Sequence, residues 1–186
     1  MTASDARPWA VPVPARLVPT GDGESFRAMP PGATGLPLPP HPGAFGVGRR
    51  HHTHEGVDLY VPEGAAVTAV EAGAVVAVLA FTGAHCAPPS PWWEDTWAVM
   101  VEGASGVVLY GEIDPAPGLR PGDRVARGDT LGAVTRVLRR DKGRPTCMLH
   151  LELYAPGART CVEWGPGEPR PTGLLDPTPL LLAAAD

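Results

Sequence analysis

The sequence predicts an all-β fold: a compact antiparallel β-sandwich or barrel-like domain with a groove, plus a Pro-rich N-terminal arm. The first observation is the presence of 23 glycines and 24 prolines among 186 residues, because helix interiors tolerate neither residue well. The second is that short apolar segments recur at roughly ten-residue spacing between turn signals, as in antiparallel sandwiches and barrels. The third is that residues 45–155 contain no long segment of 3.6-residue periodicity.

The distribution of proline divides the chain. Ten of the 24 prolines lie in residues 1–43, which predicts an N-terminal arm that is poorly ordered or wraps around the domain. Residues 44–182 are predicted to form the domain, because there the glycines separate short apolar segments. Residues 183–186 are predicted to be a C-terminal tail. Hydrophobic residues make up 44% of the chain, so a sizeable core can be buried.

Each strand is predicted from an apolar or alternating segment that ends at a turn signal. Two of them, flanking the glycines at 103 and 106, are expected to pair as a hairpin. Between the third strand and this hairpin, residues 82–94 form a Pro-rich loop that contains Trp92 and Trp93. This tryptophan pair either packs onto the sheet or forms an aromatic wall of a binding groove. The predicted strands are 57–61, 65–70, 74–81, 97–102, 107–113, 130–137 and 148–154, with an alternating segment at 119–129.

Charge, cysteines and hydropathy exclude several classes of protein. The net charge is −5 without a basic stripe, which disfavours nucleic-acid binding. The three cysteines show no Cys-x-x-Cys pair, so a disulfide framework or a cysteine zinc site is not expected. Neither a signal peptide nor a membrane span is predicted. The protein as encoded is therefore expected in the cytoplasm unless it is exported by a non-classical route; its oligomeric state is not predicted.

Two short segments carry candidate metal ligands. Side chains alternate along a strand, so His54, Gly56 and Asp58 face one way, and the glycine is expected to leave room for a metal ion. In the last predicted strand, His150 shares a face with Met148 and Glu152. On spacing alone, solvated loop residues or a histidine of the core would explain these patterns as well.

The stretch 54–67 (His-Glu-Gly-Val-Asp-Leu-Tyr-Val-Pro-Glu-Gly-Ala-Ala-Val) resembles the first metal motif of the lysostaphin/LytM-type zinc endopeptidases. That motif is His-x-Gly-x-Asp, followed by an apolar pair, Pro-x-Gly and a valine strand. The resemblance covers residues 45–182 in the family's order. Two further segments match with substitutions: residues 110–112 are Tyr-Gly-Glu where the family has Tyr-x-His, and residues 148–152 are Met-Leu-His-Leu-Glu where the family has His-Leu-His-Phe-Glu. The Gly-Asp turns within 121–132 and the Asp-Pro turn at 176–177 also match the family.

The resemblance implies a zinc-dependent metalloendopeptidase that acts on peptides or peptidoglycan-like substrates. One zinc ion would be held by His54, Asp58 and His150, and the open fourth position would take the water that attacks an amide bond. Glu152 is expected to support a ligand histidine through a hydrogen bond.

Two positions depart from the family pattern. Met148 replaces a catalytic histidine, and a thioether can neither transfer a proton nor donate to an oxyanion. Glu112 replaces a second catalytic histidine. It is a general base, a fourth ligand that closes the site, or a solvated residue at a strand end. His52 and His85 are predicted near the groove, and His52 is a possible substitute for a lost histidine.

Three functions therefore compete at this point. The first is the metallopeptidase, with Glu112 as its catalytic base. The second is a catalytically inactive zinc-binding module of the same fold that acts as a binding or scaffold protein. The third, and least favoured, is a metal-free carrier-like domain, since Lys142, the only lysine, does not lie at a hairpin tip.

Overall fold

The computed structural model describes residues 9–22, 29–141 and 143–185. It confirms the all-β prediction, because eleven strands and one short helix make up its regular structure. Nine strands form one sheet in which every pairing is antiparallel. The strands are β1 Arg16–Thr20, β2 Ala33–Pro37, β3 Val57–Leu59, β4 Ala66–Thr68, β5 Gly73–Thr82, β6 Thr96–Gly103, β7 Gly106–Pro115, β8 Arg124–Val125, β9 Thr130–Val134, β10 Leu149–Tyr154 and β11 Leu174–Leu175, followed by α1 Thr178–Ala185.

The sheet is built around β7 and its hairpin with β6. The hairpin closes at the pair Gly103 and Gly106, as the two glycines predict, with a two-residue loop between them. On its other side β7 pairs with β10, and β10 in turn pairs with β3 and β11. The short strand β3 therefore lies one strand away from β7, and this arrangement brings distant parts of the chain to one site.

Glu112 marks the point where β7 changes partners. Up to Gly111 the strand pairs with β10, and from Ile113 it pairs with β9. Opposite β6, Trp97 pairs with Ile113 and Ala98 with Gly111, so Glu112 is the extra residue of a β-bulge. Its φ of 65° is the one positive value recorded for a non-glycine residue in the described chain. Such strain persists only where the surrounding structure imposes it.

The N-terminal segments contribute to the core. Trp9, Val13, Leu17 and Leu36 are buried in the main hydrophobic cluster. Strands β1 and β2 pair in parallel as a separate two-stranded sheet. Residues 1–8 and 23–28 of the predicted arm lie outside the described residues, as does Lys142. The division into arm, domain and tail stays a prediction.

Strands β7 and β10 are buried on both faces, and their side chains enter two different hydrophobic clusters. The main cluster contains Tyr110 and Leu151, whereas a second cluster contains Leu109 and Tyr154. Residues 107–110 of β7 are continuously apolar, as is usual in strands buried on both faces, whereas β10 carries His150 and Glu152 between its leucines. Among the described residues, no helix has the length and apolar character needed to cross a membrane.

Candidate metal centre and its cavity

The antiparallel pairing of β3 with β10 builds a cluster of two histidines and one aspartate. Asp58 lies directly opposite His150 in the register of these strands. His54 lies three residues before the start of β3 and reaches the same point. The distances are 3.1 Å from His54 Nε2 to Asp58 Oδ1, 2.9 Å from His150 Nδ1 to Asp58 Oδ1 and 3.2 Å from His54 Nε2 to His150 Nδ1. All three residues are buried.

The other ring nitrogens fix both histidines. His54 Nδ1 lies 3.0 Å from the carbonyl oxygen of Ala44, and His150 Nε2 lies 2.8 Å from Glu152 Oε1. Because a carbonyl or carboxylate only accepts, these nitrogens carry the protons and donate. When both rings are neutral, the remaining nitrogens direct their lone pairs at the common centre. Ligands of a tetrahedral zinc lie about 3.3 Å apart when the bonds are about 2.0–2.1 Å, so the triangle fits that metal.

Gly56 allows this close approach of strand and loop. A Cβ at this position would lie 2.5 Å from the carbonyl oxygen of Leu151 and 2.9 Å from His150 Nε2. From the sequence, the glycine is expected to leave room for a metal ion. That expectation is wrong, because the space beside Gly56 is filled by strand β10 and the His150 ring.

Asp58 uses its two carboxylate oxygens for different partners. Oδ1 faces the histidines, whereas Oδ2 accepts a hydrogen bond from Arg49 Nη2 at 2.5 Å. Burial opposes ionisation of Asp58, but the charges of His54 and Arg49 outweigh it and hold its pKa well below the usual value. Burial would likewise lower the pKa of His150, yet its hydrogen bonds to Asp58 and Glu152 raise that pKa well above the usual value. Burial lowers the pKa of His54.

The carboxyl group of Glu112 is buried beside this centre. The residue is 7% exposed and lines the same cavity as His54 and His150. Its Oε2 makes no hydrogen bond within the described chain. Burial, reinforced by the charge of Asp58, raises its pKa to about 8. The candidate ligand atoms of His54, Asp58 and His150 all lie within 4.8 Å of one another, and among the described residues Glu112 does not belong to this group.

The cavity above the cluster has a volume of about 590 Å³. Of the residues predicted near the groove, His52 and Trp93 line it, while His85 and Trp92 do not. Burial and the charge of Arg49 lower the pKa of His52 to about 4. Met148 is buried and does not line the cavity. Glu152 does line it, and Glu152 Oε1 lies 2.8 Å from His150 Nε2. Its support of a metal ligand stays a prediction.

Three parts of the site were not identified from the sequence. The carbonyl of Ala44 orients His54, and Arg49 binds Asp58. The Tyr154 hydroxyl donates to Glu152 Oε2 and accepts a hydrogen bond from the backbone N–H of Val162. Tyr154 lies two residues after Glu152, on the strand face that also carries His150, and this spacing was the available signal. No sequence signal marks Ala44 or Arg49, because loop residues bring them to the site.

A comparison with protein families finds that the model of peptidase family M23 matches residues 52–161. No curated protein matches the chain.

Several solved structures are similar. A candidate glycyl-glycine endopeptidase LytM from Ruminococcus gnavus is 20% identical with a TM-score of 0.50, over 95% of this chain and 60% of that one. CbpA from L. salivarius is also 20% identical with a TM-score of 0.50, over 77% and 86%. A candidate M23 peptidase from Pseudomonas aeruginosa is 21% identical with a TM-score of 0.39, over 63% of this chain and 47% of that one. The chain thus spans about half of this last protein, and similarity at these identities concerns the fold alone.

Proposed function

The chain belongs to peptidase family M23, and from this premise we propose that it is a zinc-dependent metalloendopeptidase acting on peptides of the peptidoglycan type. The observation that carries the proposal is the convergence of His54, Asp58 and His150 beside the buried carboxyl group of Glu112. Two imidazole nitrogens and one carboxylate oxygen are a donor set of catalytic zinc sites, which keep a further position open.

His54, Asp58 and His150 would hold the zinc ion. An ion held there would supply a Lewis acid for the amide carbonyl and would lower the pKa of water toward neutrality. Asp58 is restricted to one oxygen on this side because Arg49 binds the other. Glu152 and the Ala44 carbonyl keep the histidines in the tautomers whose lone pairs face the centre.

Glu112 would be the general base. Its Oε2 takes a proton from the attacking water and returns it to the nitrogen of the leaving amine. In the metal-free protein its pKa is raised to about 8, and a nearby divalent cation favours the carboxylate form that accepts the proton. Its absence from the group of donor atoms within 4.8 Å supports a base rather than a fourth ligand.

The test is hydrolysis of purified peptidoglycan and of short glycyl and D-amino-acid peptides by the zinc-loaded protein. We expect cleavage of at least one substrate class by the wild type. Glu112→Gln should reduce the rate about 10²–10⁴-fold, the usual contribution of a general base. The exposed Glu63 provides the matched control, Glu63→Gln, which should retain the wild-type rate.

A second candidate function is a zinc-binding module without catalysis. It is favoured by Met148 and Glu112, which stand where the family has histidines. This alternative predicts that Glu112→Gln changes zinc affinity but no rate. Bound zinc in the wild type, with no turnover of any of these substrates, would reject the peptidase and support this alternative.

A further inference from the structure

We propose that Arg49 is a further catalytic residue, whose guanidinium donates hydrogen bonds to the oxyanion that develops on the substrate carbonyl. The inference rests on the proposed function, because it assigns a role within the same amide hydrolysis.

Arg49 is held rigidly at the site. Its Nη2 donates to Asp58 Oδ2 at 2.5 Å and to the carbonyl oxygen of Pro42 at 2.7 Å, while Nε donates to the same carbonyl at 3.0 Å. The carbonyl of the following residue, Gly43, accepts the backbone N–H of Asp58 at 2.9 Å. One loop therefore fixes both members of the ion pair. A donor fixed before the reaction needs no reorganisation when charge develops, which is the condition for effective oxyanion stabilisation.

The guanidinium of Arg49 also has hydrogen-bond donors that bind no described residue. Nη1 makes no hydrogen bond to any residue in the described ranges, whereas Nε and Nη2 are both engaged. Arg49 lines the cavity together with His54, Glu112 and His150, and 28% of its side chain is exposed. The two hydrogens on Nη1 can therefore be donated to a bound molecule, while Nη2 of the same guanidinium is bonded to Asp58.

The chemistry of the site calls for such a donor. Glu112 as a carboxylate accepts hydrogen bonds and cannot donate them, and Met148 cannot donate either. Among the other cavity donors, the Thr82 hydroxyl is occupied, since it lies 2.9 Å from the Glu94 carbonyl oxygen and 2.7 Å from the Thr96 hydroxyl. His51, His52 and Trp93 also line the cavity, but none of them is a permanently charged donor.

Arg49 is the arginine of the cavity lining, which contains no lysine among the described residues. Its guanidinium stays charged, because arginine side chains do not deprotonate in proteins. A fixed guanidinium would thus supply the positive charge that a histidine gives elsewhere in the family.

The experiment measures binding of an oxyanion mimic. The probe is a triglycine analogue in which one peptide group is replaced by a phosphinate, and the neutral reference is triglycine itself, measured before turnover or at low temperature. Both are titrated into zinc-loaded wild type, Arg49→Gln and Arg49→Lys. Arg50 is the neighbouring arginine, exposed and outside the cavity lining, so Arg50→Gln and Arg50→Lys are matched controls. Zinc content is determined for every sample.

We expect Arg49→Gln to weaken phosphinate binding about 100-fold, in line with the loss of one oxyanion donor, and to change triglycine binding less than threefold. Arg49→Lys should be intermediate, and both Arg50 variants should match the wild type. A residue that merely held Asp58 in place would weaken the two ligands equally.

Three outcomes overturn the proposal: equal phosphinate affinity in Arg49→Gln and wild type, equal weakening of both ligands, or absence of phosphinate binding by the wild type. Loss of zinc in both Arg49 variants also overturns it, because Arg49 would then act only through Asp58. A wild type that binds the phosphinate but cleaves no peptide refutes the proposed function, while the affinity ratio still decides the role of Arg49.

Discussion

His54 and His150 face each other with ring nitrogens 3.2 Å apart, and each ring is oriented by a hydrogen bond at its opposite nitrogen. Two lone pairs at this distance repel unless a cation or a proton lies between the rings and Asp58. In the metal-free protein a proton on His150 meets this need, because its hydrogen bonds to Asp58 and Glu152 raise its pKa despite burial. The site is thus organised around a positive charge.

Zinc should therefore bind once per chain and stabilise the fold. At free zinc 100-fold above its Kd, linkage contributes about 2.7 kcal/mol, or a rise in Tm of about 5–10 °C for a chain of this size. His54→Ala and Asp58→Ala should abolish the rise. Metal analysis and thermal unfolding with and without a chelator provide the measurement. His85→Ala, at a histidine outside the cavity lining, should keep it; an equal loss there would argue against the assigned triad.

Gly56→Ala should damage the metal centre from outside the ligand set. The added Cβ would lie 2.5 Å from the Leu151 carbonyl oxygen, so strand β10 must shift, at a cost of about 1–3 kcal/mol. Zinc affinity should fall as well, because His150 moves with the strand. Gly48 is the control, since nothing lies within 4 Å of its added Cβ. Chemical unfolding and zinc titration of both variants test this, and equal behaviour of the two would contradict the packing argument.

The buried Glu112 should make the stability of the metal-free protein depend on pH. Its pKa is raised from 4.5 in the unfolded chain to about 8 in the fold. Between these values the folded state binds more protons than the unfolded state, so the free energy of unfolding falls as pH rises. This contribution is fully present below pH 4.5 and is lost as pH passes through about 8.

Urea unfolding of chelator-treated wild type and Glu112→Gln across pH 5–8 measures this contribution. The advantage of the wild type over the glutamine variant should shrink steadily with rising pH, because glutamine does not titrate. A constant difference across the range would show that Glu112 is ionised in the folded protein throughout.

Tyr154→Phe should weaken zinc binding without touching a ligand. The hydroxyl of Tyr154 donates to Glu152, which in turn accepts from His150. Its removal leaves a buried carboxylate oxygen and the Val162 N–H unpaired, at a cost of about 1–3 kcal/mol. Zinc affinity should fall about 10–100-fold, as for other partners of ligand histidines.

Tyr110→Phe is the comparison for that variant. Tyr110 is also buried, and its hydroxyl accepts a hydrogen bond from the Val70 N–H at 2.9 Å, but it does not line the cavity. The Tyr110→Phe variant should be less stable than the wild type but should bind zinc with the same affinity. If both variants lost zinc affinity equally, general destabilisation would explain the effect.

The sequence predicted the central strands well because their turns are marked locally. The hairpin of β6 and β7 follows from the glycines at 103 and 106, and β10 from a segment in which leucines alternate with His150 and Glu152. Strands β1, β2 and β11 and helix α1 were not predicted. Strands β1 and β2 were missed because they lie in a segment rich in proline and glycine. The Leu-Ala segment of α1 carries no local signal that distinguishes a short helix from an irregular tail.

The site was predictable as far as residue types and alternation allow. Alternation placed His54 and Asp58 on one face and His150 with Glu152 on another, but the pairing of β3 with β10 that joins them spans about 90 residues. The bulge that aims Glu112 into the cavity depends on β7 changing partners, which no local pattern encodes. Arg49 is held by the Pro42 carbonyl, a backbone contact that side-chain patterns do not reveal.

The most direct test of the account is the kcat/KM of zinc-loaded wild type and Glu112→Gln on one cleaved glycyl peptide, at equal and verified zinc occupancy. Because Glu112 transfers protons and is not a ligand, the variant should lose about 10²–10⁴-fold in kcat/KM and keep its zinc affinity. Equal rates for the two proteins would contradict this role of Glu112, as would a loss of activity that follows a loss of zinc.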